Sequence, residues 1–98
     1  MNRFKMIFHM DEIAKAGVVL TNISHLITDI GVENLEIKIL VKGDAVKVFI
    51  KSTSEFGPLL QDLAEKKVNF NICDTSMRNF VIDKKDLFDF VTVDTACT

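Results

Sequence analysis

The sequence is poor in the residues on which most enzyme chemistries depend. Its 98 residues hold two cysteines, two histidines, four glycines and one proline. Two thiols, Cys73 and Cys97, cannot build the disulfide framework of a small secreted domain, and no zinc-type spaced pair is present. The lack of any Cys-x-x-Cys excludes a thioredoxin-type dithiol. Gly31, Gly43 and Gly57 stand isolated, so there is no glycine-rich phosphate loop. His9 and His25 belong to no HExxH or comparable metal-binding cluster. Charge of one sign is lacking too: twelve Lys and Arg face fourteen Asp and Glu, a net of −2, which leaves no basic surplus for nucleic acid. No run approaches the roughly 20 apolar residues of a membrane span. The apolar N-terminal stretch is broken by His9 and closed by Asp11-Glu12, too short for a signal peptide. The expectation is a cytoplasmic protein without metal, organic cofactor, nucleic acid or membrane as partner.

What is present is an ordinary globular composition, 48% hydrophobic and 27% charged, which fits a single domain over residues 1–98. Arg3 to Met10 is rich in Phe, Ile and Met and reads as a buried strand. Ile13, Ala16, Leu20, Ile23, Ile27 and Ile30 then recur at steps of three and four, the stripe of an amphipathic helix of about five turns. Asp11-Glu12 suits the start of that helix and Gly31 its stop. Gly17, inside the stripe, is expected to serve close packing on a sheet. Leu35 to Val41 alternates as a second strand, and Ala45 to Ile50 reads as a short helix. Phe56, Leu59, Leu60 and Leu63 define another helix, with Pro58 in its first turn. Val68 to Cys73 is a third strand, Thr75 to Phe80 a short helix, and Phe88 to Val93 a fourth strand. Strands separated by helices imply βαβ units and a mainly parallel sheet.

In open parallel sheets, sites form beyond the carboxyl ends of the strands. That rule selects His9 to Asp11, Lys42 to Asp44, Cys73 to Ser76 and Asp94 to Cys97. Cys73 is the sharpest candidate. Val68, Phe70 and Ile72 point one way, while Asn69, Asn71 and Cys73 share the other, polar face. The thiol also precedes a predicted helix, whose positive end favours thiolate. Arg78 adds positive charge there and Asp74 opposes it. His9, at a strand end like Cys73, is a conceivable base, though a strand-end loop histidine is the plainer reading. Against all of this stands the ordinary role of cysteine as a small buried hydrophobe. Lys15, Asn22, His25 and Asp29 recur at helical spacing and read as the solvated side of the first helix.

Ile-Phe-His-Met closing the first strand, Leu-Thr-Asn-Ile-Ser-His-Leu-Ile-Thr-Asp in the first helix, Glu-Ile-Lys-Ile-Leu-Val-Lys-Gly at the second strand and Val-Asn-Phe-Asn-Ile-Cys-Asp-Thr-Ser-Met at the third follow one another in a familiar order. From about Arg3 to Val93 the chain resembles the DsrE/DsrF-like family, with Asn22, Gly43 and Cys73 as its best marks. The resemblance implies a three-layer α/β/α fold with a parallel sheet of four or five strands. It also implies a sulfur-relay role, in which Cys73 holds sulfane sulfur as a persulfide and passes it between donor and acceptor proteins. No cofactor is needed for such a transfer, and no stand-alone catalytic apparatus beyond a persulfide cysteine is evident. His9, Asn22, His25, Gly43, Asp74 and Ser76 are the accompanying binding candidates. Assembly as trimers or hexamers is implied as well, and the polar residues Glu36, Lys38, Asn69 and Asn71 fit a sheet face that is wet or satisfied across a subunit contact. Two features depart from the family pattern. His25 stands where relatives often carry a second Asn, and the sequence stops at Asp94-Thr-Ala-Cys-Thr98, without the usual C-terminal extension. Two other readings remain open. One is an oligomeric small-ligand-binding or scaffold module in which Cys73 is incidental. The other is a redox sensor pairing Cys73 with Cys97, which requires the tail to fold back.

Overall fold

Strand and helix alternate along the chain as the two hydrophobic periods require. The structure, a computed structural model, describes residues 4–95. Strand β1 (Phe4–Met10) leads into helix α1 (Ile13–Ile30), and β2 (Leu35–Val41) is followed by a 3-10 segment, Gly43–Phe49. Helix α2 (Gly57–Glu65), β3 (Asn69–Cys73), α3 (Asp74–Asn79) and β4 (Val91–Asp94) complete the order. The short helix expected after β2 is the 3-10 turn. The fourth strand begins three residues later than its propensity indicates. Leu87 bridges Ile50, and the Phe88 N–H donates to the Phe49 carbonyl at 3.2 Å, so this stretch is tied elsewhere before the ladder starts.

The four strands lie in the order β1-β2-β3-β4, and every pairing is parallel. Register places Phe8 beside Ile39, Ile39 beside Phe70, and Phe70 beside Val91. These residues therefore point to one face, and that face carries the core. Helix α1 buries Ala16, Leu20, Ile23 and Ile27 against it, α2 buries Leu60 and Leu63, and α3 buries Met77. Consecutive strands are neighbours throughout. The near-universal right-handed crossover, repeated in one direction across a sheet, returns every helix to the same side. The expected α/β class and parallel four-stranded sheet are present. A second helical layer is not found among the described residues. Lys5, Ile7, His9, Glu36, Lys38, Asn69 and Thr92 are exposed on the opposite face. No helix among the described residues is long and apolar enough to cross a membrane.

An aromatic chain braces the β3–β4 side of the core. Phe70 lies between Phe49 at 5.2 Å and Phe90 at 5.7 Å, and Phe90 stacks on Phe88 at 5.1 Å. Gly17 packs against the Phe56 ring rather than on the sheet, and a Cβ there would meet that ring at 3.6 Å, an ordinary contact. Gly17→Ala is therefore expected to raise stability by about 0.5–1 kcal/mol, the helix-propensity difference, in urea unfolding.

Helix α3 closes with a Schellman pattern: the Ile82 N–H donates to the Met77 carbonyl and the Val81 N–H to the Arg78 carbonyl. The left-handed position of this motif falls on Val81 (φ 55°), whose side chain is 91% exposed. A β-branched residue is strained there and recovers nothing by burial. Val81→Gly should stabilise the protein by about 1 kcal/mol, read as a higher urea midpoint with unchanged slope.

Candidate functional site

Because all strands run in parallel, the chain segments after β1, β2, β3 and β4 emerge at one edge of the sheet. Three contacts fasten the first three of these segments together. The Lys42 N–H donates to the Met10 carbonyl at 3.0 Å, the Gly43 N–H to Ser76 Oγ at 2.9 Å, and the Ile13 N–H to Asp44 Oδ1 at 3.0 Å. The last of these caps α1 from a distant loop. Glu12, at the cap position, makes no such bond, and Asp11 and Glu12 instead lie 4.0 and 3.7 Å from the Lys15 ammonium. Gly43 and Ser76 thus set the backbone of the edge rather than line its cavity. Gly43 has φ 61°, and a Cβ on it would lie 2.6 Å from the Asp11 carbonyl oxygen.

The cavity itself opens on the face without helices. It has a volume of about 220 Å³. His9, Leu40 and Asn71 form one row across three strands, since His9 pairs with Leu40 and Leu40 with Asn71. Cys73 and Asp94, which are register partners, form the next row, and Lys42 and Val41 complete the wall. Cys73 is 6% exposed and Asp94 half-buried, and neither is without a partner. One cavity therefore gathers a cysteine, an imidazole, an amide, a lysine and a carboxylate, with an apolar floor from Leu40 and Val41.

The structure places the predicted residues in three groups. Cys73 and His9 share the cavity, but they lie on strands separated by β2 and in different rows, so His9 is not the immediate neighbour of Cys73. Gly43 and Ser76 fasten the edge. Asp74 opens α3 beside Cys73 and binds the Arg78 guanidinium at 2.7 Å, which ties up the positive charge the sequence offered to the thiol. Asn22 and His25 lie apart from the cavity, on the exposed side of α1; Asn22 lines a shallow cleft with Gly17, Val18 and Phe56. Leu40, Lys42, Asn71 and Asp94 complete the cavity; Lys42 and Asp94 lie in strand-end segments that the sequence selected, whereas Leu40 and Asn71 were not among the predicted site residues. Strand parity was the signal for three of them: residues that share a face with Cys73 in register must be even-numbered in β2 and β4. Cys97 lies outside the described residues. Among the described residues no group of three His, Cys, Asp or Glu is arranged to hold a metal ion.

A one-sided parallel α/β domain with a cysteine-containing cavity at the carboxyl edge of its sheet is the class that fold and site define. Within that class, the chain belongs to the DsrE/DsrF-like family, whose sequence profile matches residues 4–97. The fold is also that of protein MTH1491 of Methanobacterium thermoautotrophicum, a solved structure of unknown function. The two superpose with a TM-score of 0.84 at 23% identity, over 94% of this chain and 82% of the other. No curated protein matches the chain.

Proposed function

We infer that the protein is a sulfur carrier in which Cys73 holds sulfane sulfur as a persulfide. The observation that supports this most is the seat of Cys73 at the carboxyl end of β3, in a cavity walled by His9, Lys42, Asn71 and Asp94, in a chain of a sulfur-relay-type family. The reaction starts from the reduced thiolate, the nucleophilic form of cysteine. It attacks the outer sulfur of a donor persulfide R–S–SH. A bond forms between Cys73 Sγ and that sulfur, the donor S–S bond breaks, and R–S⁻ leaves with the electron pair. An acceptor thiolate reverses the exchange and leaves Cys73 as it began, so no net oxidant or reductant is consumed. Lys42 supplies positive charge near the sulfur, and Asn71 a polar side chain in the adjoining row. The donor and acceptor proteins reach the cavity from the helix-free side.

The test is intact-mass analysis of the reduced protein after incubation with a polysulfide. Additions of whole sulfur atoms, reversed by a reductant, are expected for the wild-type chain and lost in Cys73→Ser. Loading that persists in Cys73→Ser overturns the reading. So does alkylation of Cys73 that is no faster than that of Cys97, the behaviour of a scaffold with an incidental thiol.

A further inference from the structure

Cys73 is one half of a disulfide, and no cysteine among the described residues is free. The sequence has one other cysteine, Cys97. The burial of Cys73 is also out of keeping with its face of the sheet. Its side chain points away from the helices. On that face His9, Lys38, Asn69 and Thr92 are exposed, and Leu40 and Asn71 are half-buried. Cys73 is 6% exposed. No helix covers this face among the described residues, so a neighbour outside the helical layer shields the sulfur.

Chain geometry allows Cys97 to be that neighbour. Asp94 is the register partner of Cys73, and neighbouring strands lie about 4.8 Å apart. A disulfide needs its two Cα atoms within roughly 4.4–6.8 Å of each other. Cys97 follows Asp94 by three positions, a tether of at most about 10 Å. A straight continuation of β4 would spend that length carrying Cys97 out of range. The strand stops at Asp94, and Thr95 lies in a turn, so the chain leaves the strand direction where a return has to begin.

We propose that Cys97 is the disulfide partner of Cys73 and that their bond is a redox latch on the cavity, opened by a dithiol reductant. While the latch is closed Cys73 has no thiolate, so it attacks neither a persulfide nor any other electrophile. Opening is thiol–disulfide exchange. One thiolate of the reductant attacks Sγ of Cys97, because Cys73 is the buried partner. A bond forms to that sulfur, the Cys73–Cys97 bond breaks, and Cys73 leaves as thiolate with the electron pair. The second thiolate of the reductant then attacks the first reductant sulfur, and Cys97 leaves in turn. The cysteine pair gains two electrons, the reductant becomes a disulfide, and its protons pass to the pair through solvent. Cys73 packs outside the hydrophobic core cluster, so the core is complete in either state. The latch goes beyond the sulfur-carrier reading and stands without it, since it governs Cys73 toward any electrophile.

The test is mass mapping of the full chain after exposure to oxidised glutathione and then to iodoacetamide. A peptide pair joining positions 73 and 97 of one chain is expected, with Cys73 not alkylated. After dithiothreitol both cysteines should alkylate while circular dichroism keeps its native form, and oxidised glutathione should close the bond again. In Cys97→Ser the same treatment should leave Cys73 alkylated or carrying glutathione. The reduced wild-type chain makes the comparison without any substitution. A disulfide between two chains, a lasting glutathione adduct on wild-type Cys73, alkylation of Cys73 before reduction, or loss of the native spectrum on reduction overturns the proposal. Sulfur loading of the reduced chain is a separate measurement, so its failure counts against the carrier and not the latch.

Discussion

Gly43→Ala is expected to lower stability by about 3 kcal/mol and the unfolding temperature by about 15 °C. Two causes add. With φ 61°, the backbone occupies the left-handed region, where an L side chain costs about 1–2 kcal/mol. The new methyl would also sit 2.6 Å from the Asp11 carbonyl oxygen, a backbone atom that cannot rotate away. Relief requires the β2 loop to withdraw from the β1 loop. That movement strains the bonds closing the edge, from Gly43 N–H to Ser76 Oγ and from Ile13 N–H to Asp44. Gly57→Ala is the control. Its Cβ would meet only the Phe88 ring at 3.5 Å, so its thermal midpoint should stay close to wild type. If Gly43→Ala melts like Gly57→Ala, the close approach of the two loops is not a feature of the folded protein. The family resemblance marked Gly43 as a site residue, and its role is to let two strand-end loops touch.

Cys73→Ser is expected to remove sulfur loading altogether while leaving the fold intact. Serine is nearly the size of cysteine, and Cys73 sits at the rim of the core rather than in its centre, so the cavity keeps its walls. Chemistry is what disappears, because the hydroxyl is a far weaker nucleophile at neutral pH than a thiolate. A second variant separates charge from nucleophile. Lys42→Glu replaces a cation with an anion in a cavity that already holds Asp94, which is expected to slow alkylation of reduced Cys73 by about tenfold. Lys42 is exposed, so circular dichroism should not change. Stopped-flow alkylation across pH measures both effects. An unchanged rate in Lys42→Glu would remove that residue from the electrostatics of the site.

Much of the fold was legible in local pattern. The three-and-four spacing from Ile13 to Ile30 specified α1 to the residue, and Gly31 ended it as a glycine at that position does. The alternation of Leu35, Ile37, Ile39 and Val41 specified β2 and its buried face. Local pattern failed where a distant contact outweighed it. Phe88 to Phe90 has strand propensity, but its backbone and rings are claimed by Phe49 and Phe70. The first turn of α1 is preceded by two acidic residues, yet its cap comes from Asp44, thirty-one positions away. Gly17 answers to Phe56, not to a strand.

The site divides along the same line. Sequence alone determined that Cys73 ends a parallel strand and shares a face with Asn69 and Asn71, because side-chain alternation in a strand is a property of the backbone. It also determined that few other groups could serve, since a chain with two histidines and no glycine-rich loop offers little else. Strand order and register were decided only by tertiary structure. They put Asp94 beside Cys73, left His9 two strands away, turned Gly43 and Ser76 into fastenings, and gathered the helices on one face. The reason is that pairing between strands depends on which crossovers the helices can pack, and that is a property of the assembled core, not of any one segment. The scarcity of chemically distinctive residues in the chain thus narrowed the candidates to one cysteine, and the sheet supplied the residues around it.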